Sequence, residues 1–194
     1  MRHAPWLLTL TLVLLVAILI VATVRVSPVP EIELSPAQAS PSARAASGAE
    51  IGRDIADRAG RPVVVAGSMG PTGEIMEPMG PLSFDGAVEM FHEQAEGLKA
   101  GGADVLWVET ISAAEEYKAA AEGFALAGLD WCGTMSFDTA GRTMMGITSA
   151  DMVKFIDGLD YQPLGFGANC GTGASDLLRT VLGFVEAGAK LPII

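Results

Sequence analysis

The rhythm of apolar and polar positions divides the chain into three stretches. From Trp6 to Val24, nineteen residues pass without a charge, bounded by Arg2 and His3 on one side and Arg25 on the other. Residues 27 to 47 break that run with Pro28, Pro30, Pro36 and Pro41 set among Ser and Ala. From Gly48 to Ile194, apolar runs of strand length alternate with apolar stripes at helical spacing, and most of the acidic residues lie there.

Within the third stretch the elements follow one another closely. Gly48 to Gly60 predicts a short amphipathic helix, with Ile51 and Ile55 one turn apart and Gly60 closing it. Pro62 to Gly67 is β-branched and apolar and predicts a strand, after which Ser68 to Gly73 supplies turn chemistry. Ser83 to Ala100 predicts a helix with Val88, Phe91, Ala95 and Leu98 on its inner face and Gly101-Gly102 as its stop. Asp104 to Thr110 is the second strand and ends in the polar pair Glu109-Thr110. Ser112 and Glu115 have capping-box spacing, so a helix is expected to start there and run to Gly128, with Tyr117, Ala120, Ala121 and Phe124 inward. Trp131 to Phe137 is the third strand, and Asp138 to Thr143 its polar exit loop. Thr148 or Ser149 caps a helix through Gly158 whose apolar face is Met152, Phe155 and Ile156. Pro163 to Gly173 holds a fourth strand that ends on Asn169-Cys170 and breaks into glycines. Leu177, Leu178, Val181, Leu182 and Val185 mark a last amphipathic helix ended by Gly188, and Leu191 to Ile194 begins another strand.

Strand followed by helix, four times over with short connections, means parallel strands joined by right-handed crossovers. A (β/α)8 barrel and an open doubly wound sheet both satisfy that pattern. In either one the carboxyl ends of the strands share a rim, here Gly67-Ser68, Glu109-Thr110, Ser136 to Asp138 and Asn169-Cys170, and that rim is the candidate site. A cysteine at such a place reads either as one more buried small hydrophobe or as a thiol presented at a strand end. Cys132 opens its strand while Cys170 closes the next, about 15–20 Å away, so the two cannot share a metal, and Cys132 is expected in the core. The glycine-rich loop after the first strand has neither of the common phosphate-binding signatures.

Composition then narrows the function. The net charge of -11 excludes nucleic acid or an anionic membrane surface as a partner, because either needs clustered Lys and Arg. Two cysteines are too few for a disulfide scaffold. Trp6 to Val24 is long enough to cross a bilayer core of ~30 Å, so residues 1–26 read as a membrane span or uncleaved signal anchor, with Ala37-Gln38-Ala39 a distant cleavage alternative. Residues 27–47 read as a flexible or extended linker.

Residues 48–194 resemble the homocysteine S-methyltransferase domain, shared by betaine–homocysteine methyltransferases and the homocysteine module of cobalamin-dependent methionine synthase. The resemblance rests on four motifs in order and properly spaced: Val65 to Gly73, Val105 to Thr110, Met135 to Asp138 with Gly141-Arg142-Thr143, and Gly167 to Cys170. It implies about four βα units of a (β/α)8 TIM barrel, the third to sixth of eight. It implies a zinc ion held by three cysteines, one of them at Cys170 and the other two in a Gly-Gly-Cys-Cys turn after the last strand. It also implies Glu109 as the carboxylate that holds the substrate amino group, and homocysteine and a small methyl donor such as betaine or methylfolate as substrates. Zinc would keep the substrate sulfur as a thiolate, which attacks the activated methyl group and yields methionine.

Against that pattern the chain has no Cys-Cys pair, so two of the three expected ligands are missing, and the opening strands are replaced by the hydrophobic block. The resulting expectation is an incomplete methyltransferase from a truncated or frame-disrupted reading frame, weak or inactive alone, cytoplasmic if residues 1–47 are a wrong-frame artefact. The alternative is a single-pass, membrane-anchored, non-catalytic α/β binding module inserted through residues 6–24.

Overall fold

The computed structural model describes residues 40–194. The expected membrane span and most of the expected linker lie outside the described residues. Among the described residues no helix is long and apolar enough to cross a membrane.

Among the described residues five helices and four strands alternate. Helix α1 is Pro41–Asp57, followed by β1 (Ala66–Met69), α2 (Phe84–Ala100), β2 (Val105–Ile111), α3 (Ala114–Ala127), β3 (Trp131–Ser136), α4 (Ser149–Asp157), β4 (Gly165–Asn169) and α5 (Ala174–Glu186). All strand pairs are parallel, in the order β1-β2-β3-β4. Ile193 adds a bridge to Phe166, with Ile194 N–H donating to the Phe166 carbonyl at 3.0 Å, so the next strand begins beside β4 as the sequence predicts. A doubly wound sheet reverses its strand order at a switch point, whereas this order runs one way throughout and is consistent with an arc of a barrel.

The core lies between the sheet and its helices and is built on aromatic edges. Tyr117 and Phe124 of α3 meet Trp131 of β3 with ring centroids 5.4 and 5.5 Å apart, and Phe91 of α2 meets Phe124 edge-on at 6.2 Å. Farther along, Phe184 of α5 packs on Phe137 and Phe166. Gly133 makes the α3 contact possible, since a Cβ there would lie 2.3 Å from the Tyr117 hydroxyl oxygen.

Several local expectations are corrected by the packing. Helix α1 starts at Pro41, capped by the Ser40 side chain, inside the tract that reads as linker. Its buried positions are Ala49 and Ala56, while Ile51 and Ile55 are exposed. The reason is backbone proximity: a Cβ on Gly97 of α2 would lie 2.2 Å from the Ser42 carbonyl oxygen, and only small side chains fit such a crossing. In α5 the buried face is Thr180 and Phe184, flanked by Leu177, so the predicted stripe is rotated and leaves Leu178, Leu182 and Val185 exposed. Ser112 does not cap α3; the N-cap is Ala113 with no side-chain bond, and Glu115 and Glu116 supply the negative charge that a helix N-terminus favours. The capping box that does form is Thr148 with Asp151 at α4.

Asp104 ties α1 to the start of the sheet. Its carboxylate accepts from the Val65 N–H at 2.7 Å and from Arg53 Nη1 at 2.9 Å. The Val65 amide bond first, and then the Arg53 guanidinium, hold the Asp104 carboxyl below its ordinary value of 3.8. A depressed carboxyl contributes stability above its unfolded pKa and loses it as pH falls through the folded pKa. Asp104→Asn is therefore expected to cost ~1 kcal/mol at pH 7 in urea unfolding, with the difference from wild type closing as pH drops below the carboxylate range. Gly97→Ala is expected to separate α1 from α2 and cost about 1–3 kcal/mol by the same measurement.

Candidate active site at the carboxyl rim of the sheet

The rim is assembled by one irregularity in β2. The register between β2 and β3 shifts between Val108 and Ile111, and Thr110 within that bulge takes a left-handed conformation at φ 65°. This is an unusual conformation for a β-branched residue, and bulges recur where a strand must re-aim its groups. Here the bulge turns the Thr110 N–H towards β4, where it donates to Asn169 Oδ1 at 2.9 Å.

Asn169, the last residue of β4, uses its whole carboxamide. Oδ1 also accepts from Thr134 Oγ1 at 2.9 Å, while Nδ2 donates to Thr110 Oγ1 at 2.7 Å and to Cys170 Sγ at 3.3 Å. Two bonds accepted and two donated exhaust a primary amide. Cys170 follows in a left-handed conformation of its own at φ 57° and is exposed, with its sulfur 3.9 Å from Thr110 Oγ1. The presented thiol, rather than the buried one, is thus the arrangement found.

On the other side of Thr110 stands Glu109, half-buried. Ser68, opposite Trp107 in the β1–β2 register, donates its hydroxyl to Glu109 Oε1. Oε2 of Glu109 carries no hydrogen bond among the described residues. The structure therefore brings Ser68, Glu109, Thr110, Asn169 and Cys170 into one contiguous polar row. Ser136 and Asp138 do not join it: Ser136 is buried, and Asp138 belongs to an exit loop that pairs Thr139 with Arg142 and takes the Thr139 hydroxyl at 3.0 Å. Cys132 lies opposite Gly165 at the start of β4, at the far end from Cys170, and is half-buried rather than a core residue; burial pushes its thiol up from the ordinary value.

Two participants are not singled out by the sequence. Thr134 is a buried hydroxyl in a strand, indistinguishable by pattern from a β-former. Glu116 is 8% exposed and accepts both the N–H of Thr72 at 2.8 Å and its hydroxyl at 2.7 Å on the same oxygen, Oε1. The one available signal was a carboxylate one position before inward-facing Tyr117.

The donor set can be held against the zinc that the resemblance implies. Around Cys170 stand one thiol, one hydroxyl and one amide, whereas zinc sites take three or four ligands from Cys, His and carboxylate. Among the described residues no group of three or more His, Cys, Asp or Glu could hold a metal ion. The residues described do not by themselves fit zinc.

A one-way parallel sheet with helices against it and its polar groups gathered at the strand ends defines an α/β protein whose candidate site is the carboxyl rim. Within that class the assignment is specific: the sequence profile of homocysteine S-methyltransferases matches residues 20–194, and the chain belongs to that family. Similar solved structures are the homocysteine methyltransferase MmuM from Escherichia coli in its apo form (TM-score 0.65, 22% identity, 79% of this chain and 58% of that one) and its metallated form (0.65, 21%, 79% and 57%). The oxidized form of the same protein matches at TM-score 0.52 and 19% identity, over 82% and 72%. The chain thus spans less than three fifths of the length of the apo and metallated chains.

Asn169→Ala is expected to cost about 1–3 kcal/mol, because the Thr110 N–H and Thr134 hydroxyl lose their acceptor inside the protein. Asn169→Asp keeps that acceptor and is expected to cost less; urea unfolding of the two variants beside wild type checks the order.

Proposed function

We propose that this chain carries the homocysteine-binding portion of a methyltransferase that moves a methyl group to the homocysteine sulfur and forms methionine. On this reading residues 48–194 correspond to about four consecutive βα units of a (β/α)8 barrel. Glu109 receives the substrate ammonium on Oε2, while Ser68 holds Oε1 and so fixes the carboxylate plane. A charge-assisted bond made by a pre-oriented carboxylate positions the rest of the amino acid, sulfur included, along the rim towards Cys170. The observation that carries the reading is the contiguous row from Ser68 through Glu109 and Thr110 to Asn169 and Cys170, in a chain of this family.

Cys170 is proposed as one ligand of a catalytic zinc, which when bound would hold the substrate sulfur as a thiolate. One thiolate is not a zinc site, so this chain alone is expected to transfer methyl groups weakly or not at all. The methyl donor is proposed to be a small activated compound such as betaine or a methylfolate. The protein is proposed to be cytoplasmic if residues 1–47 are a wrong-frame artefact, and single-pass membrane-anchored otherwise.

Calorimetric titration with L-homocysteine tests the binding half. Glu109→Gln is expected to weaken binding at least ~10-fold through loss of one charged partner, and equal affinity in the two proteins would contradict the assignment. Assay of the purified chain with zinc, homocysteine and betaine or methylfolate tests the other half: robust methionine formation would show that Cys170 has all the help it needs.

A further inference from the structure

The segment leaving β1 is held at three points. Ser68 is bonded to Glu109, Met69 is sunk in the core at 1% exposure, and Thr72 is bonded twice to Glu116. Glu116 sits in the first turn of α3, the helix that follows β2, and is the one charged side chain buried among the described residues. Its carboxylate reaches back across the rim to a loop whose other members, Gly70, Pro71 and Gly73, are exposed. Gly73 has φ 81°, a left-handed conformation that glycine adopts without strain, so Thr72 is the one member of residues 70–73 with a side-chain tether.

We propose that Glu116 is a positioning residue for the amino-acid end of the substrate: by fixing Thr72 it fixes the course of residues 68–73, keeps the Ser68 hydroxyl on Glu109 Oε1, and so keeps Glu109 Oε2 aimed at the incoming ammonium. The proposal rests on the reading of Glu109 as the ammonium partner. The physical effect is preorganisation. With Thr72 untethered, Glu109 has to be oriented when the ligand binds, and the ordering entropy comes out of affinity. Both Thr72 donors converge on one oxygen, so what the site needs from residue 116 is an acceptor in that place and not a charge.

The test uses the full chain and three variants. Glu116→Ala is expected to weaken L-homocysteine binding about tenfold in calorimetry, and Glu116→Gln, whose amide oxygen can take both Thr72 bonds, to stay within about threefold of wild type. Thr72→Val, which keeps the N–H and loses the hydroxyl, is expected to fall between them, and it serves if the alanine variant folds poorly. Amide exchange over residues 70–74 is expected to quicken in Glu116→Ala and not in Glu116→Gln. Wild-type affinity in Glu116→Ala overturns the proposal. A glutamine variant as weak as the alanine one overturns it too, because the charge would then be what matters. If the wild-type chain takes up no homocysteine, the functional reading of Glu109 fails and the substrate half of the proposal with it. Exchange still decides the clamp in that case, and unchanged exchange in Glu116→Ala rules it out.

Discussion

The site depends on the carboxamide of Asn169. Three strands end around it, and their ends are held together by its four hydrogen bonds, which reach a backbone amide of β2, a hydroxyl of β2, a hydroxyl of β3 and the thiol of Cys170. A parallel ladder pairs backbone with backbone and leaves strand ends to splay; a side chain that inserts itself between them replaces the missing ladder bonds. It also sets the cost of Thr110's left-handed backbone against a bond to that residue's own N–H, a way of holding strain where strand ends gather functional groups. Through Thr110 the same amide governs the direction in which Glu109 leaves the strand.

The rest of the fold supports this arrangement by holding the strand ends level. Aromatic edge contacts lock α3 and β3 together, Gly133 allows them to approach, and small residues let α1 lie directly on α2. Carboxylates fasten the connections: Asp104 the entry to β1, Glu109 and Glu116 the exit from it, Asp151 the start of α4. The acidic balance of the chain is therefore partly structural, since several of these groups accept backbone or hydroxyl hydrogen bonds.

The order and type of the elements were legible because hydrophobic period and turn residues are local properties, but boundaries moved: α1 starts at Pro41 rather than Gly48, and β1 is Ala66–Met69 rather than Pro62 to Gly67, so Ser68 belongs to the strand and not to its turn. So was the rim, because a strand's polar exit is written in consecutive residues such as Glu109-Thr110 and Asn169-Cys170. Helix faces were less so: α1 and α5 carry apolar stripes that the packing does not bury, since the choice of face is made by how closely the neighbouring backbone comes, as at Gly97. The Ser112 cap failed because local spacing permits a capping box without requiring one.

By itself the sequence determined an acidic α/β segment of parallel strands with a cysteine and a carboxylate at strand ends, since composition and short-range pattern are enough for that. The tertiary structure alone decided that the strands run in sequential order, that Glu116 is buried against Thr72, and that Asn169 spends every hydrogen-bonding position on the rim. The Thr72–Glu116, Thr110–Asn169 and Thr134–Asn169 bonds join residues 35 to 59 positions apart, and no local period or propensity records them.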